Sequence, residues 1–150
     1  MDRAVVLIVG TAGDVSVYPA RPIITDIQYP QEVVKAMQSF KAKMSFRLKP
    51  EERLRAMRDL VADLAGIYGI EPPVVKTAGL GGRKGIYRNG VIYLEKLSVI
   101  TLLHEFAHVA FGHSEYKAVE WSVNLFRKVY PKQFEKLEPK GHTLIKNKRR

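Results

Sequence analysis

Apolar positions recur with different periods along this 150-residue chain, and each change of period marks an element. Ala4-Val5-Val6-Leu7-Ile8-Val9 is an unbroken apolar run closed by Gly10-Thr11-Ala12-Gly13-Asp14, the pattern of a buried β-strand and its turn. Pro19, Pro22 and Pro30 make residues 19–30 a loop. Val33, Val34, Met37 and Phe40 then predict a helix from Gln31 to about Met44. Pro50 suits the first turn of a second helix, with Glu51 and Glu52 at its positive end. Leu54, Met57, Leu60, Val61, Leu64 and Ala65 mark its buried stripe to about Tyr68, and Gly69 stops it.

Beyond Gly69 the period shortens. Val74-Val75-Lys76-Thr77 reads as a strand. The segments Ile86-Tyr87-Arg88 and Val91-Ile92-Tyr93-Leu94 flank Asn89-Gly90, whose tolerance of positive φ predicts a type I′ hairpin. The glycine-rich stretch ahead of this hairpin, Gly79 to Gly85, matches neither G-x-x-x-x-G-K-[ST] nor G-x-G-x-x-G, so it is read as a plain loop and not a phosphate cradle. A strongly apolar helix follows from Ser98 or Val99 to Phe111 and stops at Gly112. Ser114 caps another that runs to about Tyr130, ahead of Pro131. Lys140 to Arg150 holds five Lys/Arg and no acid, and is expected to fray. No internal repeat is present.

Composition narrows the chemistry. The chain is 46% hydrophobic and 27% charged, which fits one globular domain over residues 1–139 followed by a basic tail at 140–150. The apolar run at 4–9 is too short for a secretory or membrane segment. With no cysteine either, a cytoplasmic protein without a membrane partner is expected. Absence of Cys also excludes disulfide scaffolds, iron–sulfur clusters and thiol nucleophiles, so a metal must be held by His, Asp or Glu. The net charge of +10 lies mainly in residues 41–58 and 132–150 and raises nucleic acid as a partner. No DNA-reading motif accompanies it, and solvated basic faces are the simpler explanation.

His104-Glu105-Phe106-Ala107-His108 is H-E-x-x-H, and it falls inside a helix predicted independently of it. Four His and ten Glu in 150 residues produce this spacing by chance at a frequency of roughly 0.7%. Histidines at i and i+4 share a helix face and can reach one Zn²⁺, while Glu105 stands beside them as a base for metal-bound water. Two histidines and a carboxylate on so apolar a helix would be costly to bury without such a partner. A third protein ligand is needed, and Glu120, His113 and Glu115 are the candidates. If Gly112 reverses the chain, counting residues up the returning helix brings Glu120 level with the metal and leaves Glu115 near the turn. His113 is one residue short of the H-E-x-x-H-x-x-G-x-x-H spacing.

The segment His104 to His108 followed by Gly112-His113 resembles the active-site motif of the ImmA/IrrE-type zinc metallopeptidases, which are gluzincins. Glu120-Trp121-Ser122-Val123-Asn124-Leu125-Phe126 is similar to the family's E-x-x-A-N-x-F helix, with Val123 in place of Ala. The likeness covers about residues 52–131. It implies an α+β fold of the minimal zincin kind, with helices on a small, mostly antiparallel sheet. It further implies a Zn²⁺ cofactor held by His104, His108 and Glu120, Glu105 as catalytic base, and hydrolysis of a narrow set of protein or peptide substrates. The strand before the active helix, Val91–Leu94 or its neighbour, would be the edge that pairs with substrate. A more distant likeness to SprT-like proteases, which act on DNA-bound proteins, would instead favour His113 as ligand. A third alternative is a non-catalytic nucleic-acid-binding protein on the same frame. His113, Tyr116 and Tyr130 are candidate oxyanion donors, each also readable as a packing or surface residue, and Asn124 is placed to orient Glu120.

Overall fold

The structure is a computed structural model that describes residues 24–44, 47–140 and 143–146. The strand expected at 4–9, its turn, and Pro19 and Pro22 lie outside the described residues. Two helices open the described chain, α1 (Gln31–Lys43) and α2 (Pro50–Tyr68). α1 buries Val33, Met37 and Phe40, and α2 buries Met57, Leu60, Val61, Leu64 and Ala65, so each meets the core with the stripe its sequence predicts. The Glu52 carboxylate accepts from the Lys49 amide at 2.9 Å and secures the start of α2. Gly69 ends it in the left-handed conformation, at φ 67°.

Three short strands follow: β1 (Val74–Thr77), β2 (Gly85–Arg88) and β3 (Val91–Leu94). Asn89 and Gly90 both have positive φ, 51° and 79°, as a type I′ turn requires, and β2 pairs antiparallel with β3 through them. The sheet order is β1-β3-β2, with β1 parallel to β3. This corrects one expectation and narrows another, which left the edge open between Val91–Leu94 and its neighbour. The sheet is mixed and not mostly antiparallel, because the loop at 78–84 reverses the chain and leaves β1 and β3 both running opposite to β2. Val91–Leu94 is the central strand, with Ile92 and Leu94 fully buried, so its neighbour β2 forms the edge beside the following helix.

That helix, α3 (Val99–Phe111), lies against β2 and β3 on one side and against α4 (Glu115–Val129) on another. Leu102, Leu103 and Phe106 are fully buried, and the rings of Phe106, Tyr68, Phe111 and Trp121 pack around one another. α1 closes the far side of α4. There the Lys41 ammonium donates to the Val129 carbonyl at 2.9 Å, and the Tyr29 hydroxyl donates to the Trp121 carbonyl at 2.7 Å. Past Tyr130, Pro131 opens a short helix, α5 (Pro131–Glu135). β4 (Leu137–Lys140) and β5 (Thr143–Lys146) then form an antiparallel hairpin. Part of the segment expected to fray is therefore paired. The whole is an α+β arrangement of five helices, a three-stranded mixed sheet and a two-stranded sheet among the described residues.

Candidate metal centre

The site grows out of α3 and the turn that follows it. Ser98 begins the helix by accepting from the Thr101 amide, as its position before the apolar run predicts. Because the helix is apolar nearly all round, burying it also buries His104 (0% exposed) and Glu105 (2% exposed). β2 approaches closely enough that a Cβ on Gly85 would stand 2.7 Å from Thr101 Cγ2 and 3.3 Å from Glu105 Cγ. Only glycine fits there, so Gly85 is what allows the edge strand to lie directly over Glu105.

Gly112 then turns the chain at φ 100°, ψ −161°, a combination essentially closed to other residues. Its carbonyl accepts from His108 Nδ1 at 2.9 Å. That bond fixes the ring's orientation and leaves Nε2 facing inward, the arrangement a metal-ligating histidine needs. Ser114 caps α4 through the Lys117 amide and delivers Glu115 as the first residue of the helix. Glu115 Oε1 lies 2.5 Å from His108 Nε2 and 3.3 Å from His104 Nε2. The two imidazoles stand edge to face with centroids 4.9 Å apart. Ligand atoms of all three side chains fall within 4.8 Å of one another.

The electrostatics follow from this contact. Burial raises the Glu115 pKa, but hydrogen bonds and charge from His104 and His108 outweigh it and hold the carboxyl down at about 2. Burial likewise disfavours the charged form of His108, yet bonds to Glu115 and the Gly112 carbonyl raise its pKa above the ordinary value of 6.5. Glu105 moves the other way from Glu115. Its pKa is raised above 4.5, chiefly because burial disfavours the carboxylate, against smaller opposing effects from the two histidines.

Glu120, the ligand favoured by counting, stands elsewhere. Its Oε2 accepts from Thr25 Oγ1 at 3.2 Å, and its main-chain carbonyl accepts from Asn124 Nδ2 at 2.7 Å. The reason is angular. Five residues separate Glu115 from Glu120, a rotation of about 140° around a helix at 100° per residue, so the two cannot share a face. Height above the turn does not settle which carboxylate meets the histidines; direction around the axis does. Asn124 does sit beside Glu120, and it also accepts from the Thr25 amide at 2.9 Å, so the pair anchors the segment entering from Thr25.

The remaining candidates divide similarly. His113 is exposed and stands outside the His104–His108–Glu115 group. Tyr116 packs beside Val119 and Val123. Tyr130 is stacked on Phe126 with its pKa pushed up to about 12 by burial, which makes it a core residue. The Gly112 carbonyl had no sequence signal beyond the helix stop. Thr25 lay unmarked in the proline-rich loop.

No family model, curated protein or solved structure matches the chain. The chemistry of the site must therefore be judged from its own atoms. Four buried side-chain nitrogens and oxygens lack a hydrogen-bond partner among the described residues, and three of them are here: His104 Nδ1, Glu105 Oε2 and Glu115 Oε2. Leaving such groups unpaired costs about 1–3 kcal/mol each, so their concentration at one place needs a functional explanation. Two imidazoles and a carboxylate form a donor set suited to a transition metal. Tetrahedral ligands about 2.05 Å from zinc are about 3.3 Å apart, which is the His104–Glu115 separation. The His108–Glu115 contact is shorter, and a proton on His108 Nε2 would compete with a metal for the same lone pair.

Proposed function

We propose that this chain is a zinc-dependent peptidase of the minimal zincin kind, with His104, His108 and Glu115 holding the metal and Glu105 acting as catalytic base. The observation that carries the proposal is the convergence of His104 Nε2, His108 Nε2 and Glu115 Oε1 next to a buried glutamate with raised pKa. Zn²⁺ bound by such a set supplies Lewis acidity, which polarises a carbonyl and acidifies water.

Glu105 does the proton chemistry. A carboxyl whose pKa lies above its usual value is a stronger base once ionised, and it holds a proton more readily for later delivery to a leaving group. It takes a proton from water as the oxygen adds to the peptide carbonyl carbon. It then gives that proton to the amide nitrogen as the C–N bond breaks, which returns Glu105 to its starting state. Substrate orientation falls to β2. Its outer edge pairs with no other strand among the described residues, and the strand passes over Glu105 at Gly85. An extended peptide added to that edge would bring its own carbonyls past the carboxylate.

The test uses the zinc-loaded full chain and a mixture of unstructured peptides, with cleavage read by mass spectrometry. New termini are expected with wild type, none after chelation, and a loss of about 10²–10⁴-fold in Glu105→Gln at unchanged zinc content. Cleavage undiminished in Glu105→Gln would contradict the role of the base.

A further inference from the structure

We propose that a cavity one helical turn from Glu105, walled by Arg83, Lys84 and Lys96, binds an aspartate or glutamate side chain of the polypeptide substrate. The word substrate rests on the peptidase reading; the acid-binding site itself does not.

The cavity measures about 380 Å³ and opens where β2 begins and β3 ends. The main chain brings its cations together. Lys84 directly precedes β2, its carbonyl accepts from the Glu95 amide at 2.9 Å, and Lys96 follows in the next position. Partial desolvation of the Lys84 ammonium depresses its pKa, and Lys96 lies close enough to add to the effect. Neither lysine has an acidic partner among the described residues. Glu95 is the one acid on the wall, and its Oε1 is taken by the Leu80 amide at 2.5 Å. Three cations therefore face one carboxylate already engaged by the loop, an arrangement that favours binding of an added anion.

Position selects a side chain over a free ion. Thr101 forms part of the cavity wall and also touches the space beside Gly85, which Glu105 shares. Thr101 and Glu105 are four residues apart on α3, or about 6 Å along the axis. An extended peptide advances about 3.3 Å per residue and returns to the same face every second residue. A peptide lying on β2 with its scissile carbonyl at Glu105 would thus present the side chain about two positions away to the cavity. The glycine-rich stretch before β2 contributes Gly82 to the wall.

The experiment titrates the full-length, isotopically labelled chain with a peptide set in which a single Glu is moved through an otherwise neutral sequence. Each peptide is paired with its Gln counterpart. At one Glu position, binding about fivefold tighter than Gln is expected, with amide shifts at Gly82, Gly85, Leu97 and Thr101. Lys84→Ala/Lys96→Ala should abolish that preference, and Lys84→Glu/Lys96→Glu should reverse it toward Lys-bearing peptides. Both lysines are exposed, so the fold is not at stake. No binding, equal binding of Glu and Gln peptides, a preference that survives Lys84→Ala/Lys96→Ala, or tighter saturable binding of inorganic phosphate alone would each overturn the assignment. Hydrolysis is scored separately on the same peptides. Acid-selective binding without cleavage would remove the peptidase reading and keep the site, whereas cleavage without acid preference would remove the site alone.

Discussion

His108 is held at both ring nitrogens, by the Gly112 carbonyl on one side and the Glu115 carboxylate on the other. In the metal-free protein this pair has a definite pH window. Glu115, depressed to about 2, contributes stability that is present above its ordinary value of 4.5 and lost as pH falls through about 2. His108, raised, contributes stability that is fully present below 6.5 and lost as pH climbs through its folded value. Thermal unfolding of the chelated protein should therefore show the pair's stabilisation greatest between about pH 4.5 and 6.5. Glu115→Gln should flatten that dependence. Metal reverses the preference on the alkaline side, because His108 must give up its Nε2 proton to bind. Zinc affinity measured by competition with a chromophoric chelator should fall as pH drops through a value above 6.5, with proton release on binding. Affinity independent of pH between 6 and 8 would rule out His108 as a ligand.

Two glycines decide how the elements meet. At Gly112 the chain adopts φ and ψ values that other residues reach only at a cost of about 1–3 kcal/mol. Gly112→Ala should lower stability by that amount and weaken zinc binding, because the carbonyl it displaces is the one that orients His108. At Gly85 a methyl group would meet Thr101 Cγ2 at 2.7 Å and press β2 away from α3. Gly85→Ala should cost about 1–3 kcal/mol by overpacking. Combining it with Thr101→Ser, which removes the clashing methyl, should recover part of that loss in a double-mutant cycle. Equal, additive losses would show that the two residues do not oppose each other. Sequence reached these elements unevenly. α1, α2, α3, α4 and the Asn89-Gly90 hairpin were legible because each carries its signal locally, in a stripe, a cap or a turn. The parallel pairing of β1 with β3 was not, since it joins strands separated in the chain by the 78–84 loop and β2. The choice among Glu115, His113 and Glu120 depended on rotation about α4, a quantity that a count of residues from the turn does not contain.

For the molecule as a whole, the +10 charge has been partly absorbed by the fold. Lys41 donates to the Val129 carbonyl and lies 5.1 Å above the Tyr130 ring, and Arg58 donates to the Val75 carbonyl at 2.9 Å. Two cations of the 41–58 cluster thus tie α1 to α4 and α2 to β1, and not all of that charge is available to a partner. Lys41→Ala should cost about 0.5–1 kcal/mol in denaturant unfolding, little because the side chain is exposed; no change would make it a solvated surface charge. Among the described residues no helix is long and apolar enough to cross a membrane. The H-E-x-x-H spacing was legible because one helix carries it, while the third carboxylate required the structure. The decisive measurement is the zinc content of purified full-length protein by elemental analysis, for wild type, Glu115→Ala and Glu120→Ala. One zinc per chain in wild type, kept in Glu120→Ala and lost in Glu115→Ala, is the predicted result; a wild type that takes up no zinc, or zinc lost in Glu120→Ala and kept in Glu115→Ala, would contradict it.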